Sequence, residues 1–325
     1  MRILSGVQPT GKLHLGNYFG AIRQHLELQD EPGNQCFYFI ADYHALTTVH
    51  QPEVLRENIR EVALTYLALG LDPKRTVFYR QSDLPEVTEL TWMLASVTGM
   101  GLIERAHSYK DKVGRGIKPS LGLFYYPVLM AADILIVKGE VVPVGQDQVQ
   151  HLEMAQDMAG YFNSSFGTEA LVRPEWRLSA TPKVPGTDGH KMSKSYDNTI
   201  SIFSEGKALK KSVMGIVTKP IDLGQPLPTE DDNVLGLYSL FAKPEEIQQM
   251  EADYRTGSIG YGEAKKRLLQ KIDSHFAPAR ERRRVLSKQP SYLEDVLADG
   301  AKRAREVAEQ TMQECREACG LSRSI

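Results

Sequence analysis

Apolar positions in the first ~80 residues form short runs that alternate with segments of helical periodicity. Residues 2–5 and 76–79 are strand candidates. Residues 36–41 are apolar throughout, which is typical of a strand that is buried on both faces. Three strands are therefore predicted in this part of the chain.

Two helices are predicted between these strands. The first begins near Gly16 and runs to about Gln29. The second begins at Pro52, a residue that the first helical position tolerates, and stops at Gly70. This order of strands and helices implies a parallel sheet with right-handed crossovers, whose ligands bind beyond the carboxyl ends of the strands. The predicted fold class is α/β, with a Rossmann-like parallel sheet.

The pattern of apolar and polar positions changes twice after the third strand. Residues 85–180 are mostly helical and are predicted to form an insertion into the sheet. From Ser204 onward, helical patterns continue to the end of the chain. We therefore predict a catalytic domain over residues 1–203 and an all-α domain over residues 204–325.

Composition agrees with about two globular domains. The chain has 325 residues, of which 42% are apolar and 25% are charged. The net charge of −2 gives no overall basic field, although a local basic face can lie within a neutral total. We expect no membrane span and no signal peptide. Three cysteines are too few for a disulfide framework, which favours a cytoplasmic protein.

Two lysines stand out in a polar, glycine-bearing loop over residues 185–200. They lie in Lys191-Met192-Ser193-Lys194-Ser195, after Gly186 and Gly189. Lysines flanked by glycine can follow a moving polyphosphate, and their charge can match the charge that develops on a leaving pyrophosphate. Taken alone, however, such a segment is more often a solvated basic turn.

A second polar segment, Gln8-Pro9-Thr10-Gly11-Lys12-Leu13-His14-Leu15-Gly16-Asn17, follows the first strand and opens the first helix. Its glycines allow a ligand to approach the backbone, and the helix N-terminus presents free N–H groups to a phosphate. His14 and Asn17 can donate hydrogen bonds to phosphate oxygens. The alternative is an ordinary strand-to-helix turn. GxGxxG and GxxxxGK[ST] are both absent, which disfavours a dinucleotide dehydrogenase and a P-loop ATPase.

Together, these two segments resemble the HIGH and KMSKS motifs of class I aminoacyl-tRNA synthetases. Residues 191–195 match KMSKS letter for letter. His14-Leu15-Gly16-Asn17 departs from HIGH at its last position, where asparagine replaces histidine, as is usual in the tryptophan and tyrosine branch. The order of the two segments and their wide separation also fit this family.

Further segments resemble the tryptophanyl-tRNA synthetases in particular. They are residues 5–11, 42–45, 126–135 and 142–151. The resemblance runs through the whole chain and is densest up to Ser195. It implies ATP-dependent activation of L-tryptophan to tryptophanyl-adenylate, followed by transfer to the 3′ end of tRNA(Trp).

The resemblance assigns recognition of the indole N–H to Asp133. A buried carboxylate that accepts this hydrogen forms a charge-assisted bond, and phenylalanine would leave the carboxylate unpaired. Met130 and Tyr126 can share a helical face with Asp133, while His44 and Gln148 complete the expected amino-acid site. Apart from the family match, Asp133 could be a salt-bridge residue, and Met130 and Tyr126 could be plain core.

The resemblance also implies which residues bind ATP. Residues 145–148 resemble the segment that contacts the ribose and the substrate amino group, Lys110 matches a lysine near the triphosphate, and Val184 resembles the residue whose backbone meets adenine. The expected ATP-binding residues are Gln8, Pro9, Thr10, Gly16, Asn17, Gly145, Gln146, Asp147, Val184, Lys191, Met192, Ser193, Lys194 and Ser195. The expected catalytic residues are His14, Asn17, Lys110, Lys191, Lys194 and Ser195.

The reaction that the resemblance implies needs no protein nucleophile. The tryptophan carboxylate attacks the α-phosphate, so catalysis is expected to consist of positioning and charge stabilisation. Mg²⁺ is expected to bind through the ATP phosphates. Only Cys315 and Cys319 lie near the end of the chain, so no iron–sulfur cluster is expected.

The resemblance further implies a homodimer in which the helical C-terminal part binds the tRNA anticodon. Basic residues in this part suit phosphate contacts, but a solvated, salt-bridged helix face is an equal alternative. These basic residues are Lys265, Lys266, Arg267, Lys271, Arg280, Arg282, Arg283 and Arg284.

Three other functions stay open at this point. A tyrosyl-tRNA synthetase would share the fold and both motifs. A synthetase-like binding paralogue would keep the pocket without charging tRNA, although the intact Lys191 and Lys194 argue against it. A nucleotidyltransferase with a HIGH-like motif would not need the helical C-terminal part.

Overall fold

The computed structural model describes residues 1–106, 114, 119–178 and 184–321 of the chain. In these residues, five parallel strands form one sheet with the order β3-β2-β1-β4-β5. The strands are β1 (Arg2–Val7), β2 (Gln35–Ile40), β3 (Thr76–Arg80), β4 (Val141–Val144) and β5 (Glu175–Leu178). The predicted α/β fold class with a parallel sheet is confirmed.

Helices cover both faces of the sheet and make up most of the chain after it. They are α1 (Leu15–Asn17), α2 (Arg23–Asp30), α3 (Asp42–Ala45), α4 (Pro52–Leu69), α5 (Glu86–Val97), α6 (Met100–Glu104), α7 (Leu121–Ile136), α8 (Val149–Phe166), α9 (Gly206–Met214), α10 (Asn233–Ser239), α11 (Pro244–Thr256), α12 (Tyr261–Leu286) and α13 (Pro290–Ala318). None of the described helices is both long and apolar enough to cross a membrane.

The early elements lie close to where the apolar pattern predicts them. Pro52 is the first residue of α4, and Gly70, with a φ of 113°, ends it. The helix predicted from Gly16 is present, but a π-helical turn, Tyr18–Ile22, interrupts it. Such a turn widens the helix by one residue and is often found at functional sites.

The insertion predicted over residues 85–180 differs in composition from the expectation, because β4 and β5 also lie in this range. The helices α5 to α7 precede β4, and α8 lies between β4 and β5. β4 and β5 then return to the sheet on the other side of β1. Both strands have only four residues, which is too short for their periodicity to stand out from the surrounding helical pattern.

Residues beyond 203 contribute to the hydrophobic cores on both faces of the sheet. On one face, Ile3 and Tyr38 pack in a core that extends through α4 to residues of α9–α12. On the other face, Leu4 and Phe37 pack with α5, α7, α8 and the second half of α13. The division into two domains at residue 203 stays a prediction, since the helices after it pack on the sheet itself.

Helix α13 covers the sheet edge that β3 would otherwise leave open. The two backbones meet at Gly300, where an added Cβ would overlap the carbonyl group of Phe78. Arg303 holds the same contact, because its Nη2 donates to the carbonyl of Thr76 at 2.9 Å. The C-terminal helix is thus part of the sheet's support.

A buried histidine of α2 lies in the hydrophobic core. The ring of His25 stacks on Tyr38 with 4.6 Å between centroids, and its Nδ1 lies 3.0 Å from the Tyr66 hydroxyl. The Tyr38 hydroxyl donates to the carbonyl of His25 at 2.9 Å. Burial lowers the pKa of His25 to about 4, so the imidazole is neutral in the folded protein at pH 7.

We expect Gly300→Ala to destabilise the fold by about 3 kcal/mol or more, because the backbone of β3 must move to admit one methyl group. Urea unfolding measures this change. Gly262→Ala in α12 is the matched control, since an added Cβ there meets nothing within 4 Å. A Gly300→Ala variant as stable as this control would contradict the close contact of α13 with β3.

We expect the free energy of unfolding to fall as the pH drops from about 6.5 to about 4, because the unfolded chain then takes up a proton that buried His25 refuses. This group contributes at most about 1.4 kcal/mol per pH unit. His25→Gln should remove that part of the slope in urea unfolding at pH 7, 6 and 5. The exposed His50, replaced in the same way, is the control, and equal slopes in the two variants would refute the assignment.

Candidate active site

A cavity of about 920 Å³ opens at the carboxyl ends of β1, β2 and β4. The strand order reverses between β1 and β4, so the chain leaves these two strands in opposite directions and a crevice forms between them. Gln8 lines the cavity after β1, His44 lines it after β2, and Gly145 lines it after β4. Gly20 and Ala21 of the π-helical turn complete this side of the wall.

One end of the cavity carries a buried acid. Asp133 of α7 is only 4% exposed, and its Oδ2 lies 2.8 Å from Nε2 of His44. The side-chain amide of Gln81 donates to both carboxylate oxygens, at 2.8 and 2.9 Å. Burial raises the pKa of Asp133, while the hydrogen bonds from His44 and Gln81 favour the ionised form. The cavity therefore offers a buried hydrogen-bond acceptor at this end.

Aromatic and polarizable side chains surround this acid. Tyr126, Met130 and Asp133 follow one another along α7 and line the same wall, as their helical spacing predicts. The Tyr126 hydroxyl lies 2.7 Å from Nε2 of His151, and its ring meets the His44 ring edge to face. This end can hold a flat aromatic ring that presents one hydrogen-bond donor.

At the other end of the cavity, the two motif segments, residues 8–17 and 191–195, are in direct contact. The backbone N–H of Gly16 donates to Sδ of Met192 at 3.3 Å, and that of Leu15 donates to the carbonyl of Ile200 at 3.0 Å. Nζ of Lys194 donates to the carbonyl of Thr10 at 2.6 Å. Segments 176 residues apart in the chain thus form one surface beside the cavity.

His14 lies inside this contact and is neutral at pH 7. Burial, with a smaller contribution from the positive charge of Lys194, lowers its pKa to about 4. Asn17 accepts a hydrogen bond from the backbone N–H of His14 at 3.0 Å, which closes the first helical turn. A neutral imidazole can donate one hydrogen bond to a phosphate oxygen without carrying charge.

Asn198 organises the loop that carries the lysines. Its Oδ1 accepts from the backbone N–H of Ser193 at 2.7 Å, and its Nδ2 donates to Oδ1 of Asp188 at 2.7 Å. Gly186 lies against the same side chain, where an added Cβ would overlap the amide. The short hairpin before the lysines and the turn after them are therefore joined through one buried asparagine.

The structure divides the predicted site residues between the cavity and the loop contact. Those that line the cavity are Gln8, His44, Tyr126, Met130, Asp133, Gly145, Gln146, Asp147, Gln148 and Lys191. Those in the two segments that meet beside it are Pro9, Thr10, His14, Gly16, Asn17, Met192, Ser193, Lys194 and Ser195, and Val184 accepts a backbone hydrogen bond from Met192. Lys110 lies outside the described residues.

The predicted set omits several polar residues of the site, among them Gln81, His151 and Asn198. Gln81 directly follows a buried strand, a position at which polar residues of parallel sheets often face the ligand, so a signal was present. His151 and Asn198 give no such signal, because their partners come from distant parts of the chain or from the fold of the loop.

The basic residues of the C-terminal part are engaged within the chain. Arg283 pairs with Glu61 at 2.8 Å, Lys271 pairs with Glu246 at 2.6 Å, and Nζ of Lys265 donates to the carbonyl of Ile216. Lys266, Arg267, Arg280 and Arg284 also pair with acids, and Arg282 donates to a backbone carbonyl. These contacts favour the salt-bridged alternative for this set of residues.

A family model described as tRNA synthetases class I (W and Y) matches residues 1–277. The tryptophan–tRNA ligase of Rhodopirellula baltica is 53% identical, over 99% of this chain and 100% of that protein. That of Fusobacterium nucleatum is 49% identical, over 100% and 99%.

The similarity to these proteins extends to three-dimensional structure. The crystal structure of tryptophanyl-tRNA synthetase from Campylobacter jejuni, complexed with ADP and tryptophan, superposes with a TM-score of 0.92 at 46% identity and covers 99% of this chain and 100% of that one. The resemblance seen in the two motifs is thereby confirmed over the whole chain, which belongs to the class I tRNA synthetases of the tryptophan and tyrosine branch.

Proposed function

We propose that this protein activates L-tryptophan with ATP to give tryptophanyl-adenylate and then transfers the tryptophanyl group to the 3′ end of tRNA(Trp). The observation that carries the proposal is the cavity in which a buried carboxylate, Asp133, lies at one end and the contact of the two motif segments lies beside the other. The names of the relatives and their full-length similarity support tryptophan as the amino acid.

At the amino-acid end, Asp133 accepts the indole N–H. Met130 and Tyr126 contact the indole ring. His44 holds the Asp133 carboxylate, and Gln148 makes a polar contact with the amino acid. An indole N–H can only donate a hydrogen bond. The Asp133 carboxylate, which His44 and Gln81 already contact, is an acceptor suited to it. Phenylalanine would leave this acceptor unpaired, and a site built around such a bond excludes it strongly.

At the nucleotide end, Lys191 and Lys194 neutralise the triphosphate, and His14 and Asn17 face the α-phosphate. Lys194 donates to the carbonyl and the hydroxyl of Thr10, and partial burial lowers the pKa of its ammonium group. A phosphate oxygen is a better acceptor for that ammonium group than a peptide carbonyl, so nucleotide binding draws Lys194 toward it. Gln8, Pro9, Thr10, Gly16 and Val184, residues 145–147 and residues 192–195 are proposed to form the remaining ATP site.

The chemistry then follows from charge. A carboxylate oxygen of tryptophan attacks the α-phosphorus, and the bond to the bridging oxygen of pyrophosphate breaks. Lys191, Lys194 and Lys110 stabilise the negative charge that collects on the leaving group. The 2′-hydroxyl of the terminal adenosine next attacks the activated carbonyl and releases AMP. Among the described residues no group of three or more His, Cys, Asp or Glu could hold a metal ion, so Mg²⁺ is proposed to arrive with the ATP phosphates.

The helical part over residues 204–325 is proposed to bind the tRNA, with the anticodon as its target. The face best suited to phosphate is on α9, where Lys207, Lys210 and Lys211 are all exposed. Within the part of the chain that the structure describes, none of these three lysines has an acidic partner, unlike the basic residues of α12. Helix α9 directly follows the loop that carries the catalytic lysines, so tRNA bound there would lie close to the cavity.

A homodimer and a cytoplasmic location complete the proposal. Three large apolar side chains are exposed on neighbouring helices: Trp92 of α5 at 74%, Met100 of α6 at 62% and Leu121 of α7 at 78%. Apolar side chains exposed together are typical of a protein interface. Cys36, Cys315 and Cys319 are free thiols, which suits a reducing compartment.

The first test is ATP–pyrophosphate exchange with each of the twenty amino acids, where we expect tryptophan alone to support exchange. Exchange with tyrosine instead would assign the protein to the sister branch, and no exchange with any amino acid would contradict activation.

Lys194→Ala should lower the exchange rate by about 100-fold or more with little change in the KM for tryptophan, because the charge of Lys194 acts on the leaving group. Lys302→Ala on α13 is the control, and equal losses in rate and tryptophan affinity would refute this role for Lys194.

The second test concerns the tRNA surface. Replacing Lys207, Lys210 and Lys211 together by glutamate should raise the KM for tRNA by about 10-fold or more and weaken its salt dependence, because several phosphate contacts are lost. Exchange without tRNA should stay unchanged. The control of equal charge replaces Lys74, Lys288 and Lys302 by glutamate, and an equal KM in both variants would show that net charge alone is at work.

A further inference from the structure

A buried glutamine, which has no part in the proposed reaction, joins two of the helices beside the cavity. Gln81 is the first residue after β3 and is only 1% exposed. Its side chain lies between the start of α3, after β2, and Asp133 of α7. All four of its described hydrogen-bond contacts go to these two elements.

The orientation of the Gln81 amide follows from its partners. Its Oε1 accepts from the backbone N–H of Tyr43 at 3.0 Å and from that of His44 at 3.4 Å. Backbone N–H groups can only donate, so the oxygen must face α3 and the NH₂ group must face Asp133. The amide therefore cannot turn over without losing contacts at both ends.

This orientation restricts the protonation state of Asp133. Nε2 lies 2.8 and 2.9 Å from the two carboxylate oxygens, so one of its N–H groups is shared between them, and Nε2 of His44 lies 2.8 Å from one of the two oxygens. The amide donor shared by both oxygens lowers the pKa of Asp133 and so opposes the effect of burial. Without such donors, a carboxyl group buried to this degree would tend to be neutral.

The turn that carries Gln81 is itself held firmly. The backbone N–H of Ser82 donates to Asp42 at 2.9 Å, and Nε of Arg80 donates to Asp83 at 2.8 Å. From the other side, Arg305 of α13 donates to the carbonyl of Asp83. Gln81 is thus fixed between the support of the C-terminal helix and the wall of the cavity.

We propose that Gln81 is a positioning residue for substrate selection, which holds the Asp133 carboxylate in one orientation as an acceptor and so makes the site require a ligand N–H. This inference rests on the proposed function, because it takes Asp133 as the partner of the indole. Gln81 does not touch the ligand and acts only through Asp133. Its loss therefore weakens the part of tryptophan binding that depends on the indole N–H.

The probe for this role is the tryptophan analogue 3-(benzothiophen-3-yl)alanine, in which sulfur replaces the indole N–H. The ratio of kcat/KM for tryptophan to that for the analogue, measured by pyrophosphate exchange, isolates the bond to Asp133. Any variant that merely loosens the fold lowers both values together and leaves the ratio unchanged.

We expect Gln81→Met to lower this ratio by about 10- to 100-fold, the size expected for one charge-assisted hydrogen bond. The KM for ATP should stay within about two-fold, since the nucleotide end does not contact Gln81. Gln81→Asn keeps the amide but shortens its reach, and it should lower the ratio in the same direction. Gln29→Met is the matched control, because Gln29 is also a buried glutamine that joins backbone groups but lies away from the cavity.

The outcomes separate the two levels of the argument. If the unmodified protein shows no tryptophan-dependent exchange, the proposed function fails. If it exchanges normally and either folded Gln81 variant keeps the ratio within two-fold of the unmodified protein, the positioning role is overturned. Thermal unfolding of each variant, followed by circular dichroism, establishes which variants are folded.

Discussion

The site depends on one buried carboxyl group and on the hydrogen-bond donors around it. A carboxylate in the position of Asp133 is stable only when donors surround it, and those donors come from His44 and Gln81, at the ends of two different strands. The side chain of Asp133 therefore links the segments that follow β2 and β3 to α7. Helix α13 also supports this arrangement, because it lies along β3 and donates a hydrogen bond to the turn that follows β3.

The nucleotide end is built on a different principle. There the backbone carries most of the contacts, and the side chains that contact phosphate in our proposal are kept near the surface of the loop. A network around the buried Asn198 gives this loop its shape while leaving its lysines exposed. The two ends of the cavity thus combine a rigid wall for an aromatic ring with a charged loop suited to a leaving group.

The sequence predicted structural features correctly where residues close together in the chain determine them. The alternation of strands and helices, the start and stop of α4 at Pro52 and Gly70, and the common face of Tyr126, Met130 and Asp133 are of this kind. The prediction was less complete for β4 and β5, which are short, and for Gln81, His151 and Asn198. The hydrogen-bond partners of these three polar residues lie from 5 to 52 positions away in the chain.

By itself, the sequence determined the class of fold, the family and the identity of the two motif segments, because periodicity and motif letters are local properties of the chain. Only the tertiary structure decided that the eight basic residues of α12 are engaged within the chain, that α13 supports the sheet edge, and that a glutamine after β3 holds the acid. The physical reason is that hydrogen bonds and ion pairs depend on distances of a few ångströms between residues far apart in sequence. Those distances exist only once the strands have been placed side by side.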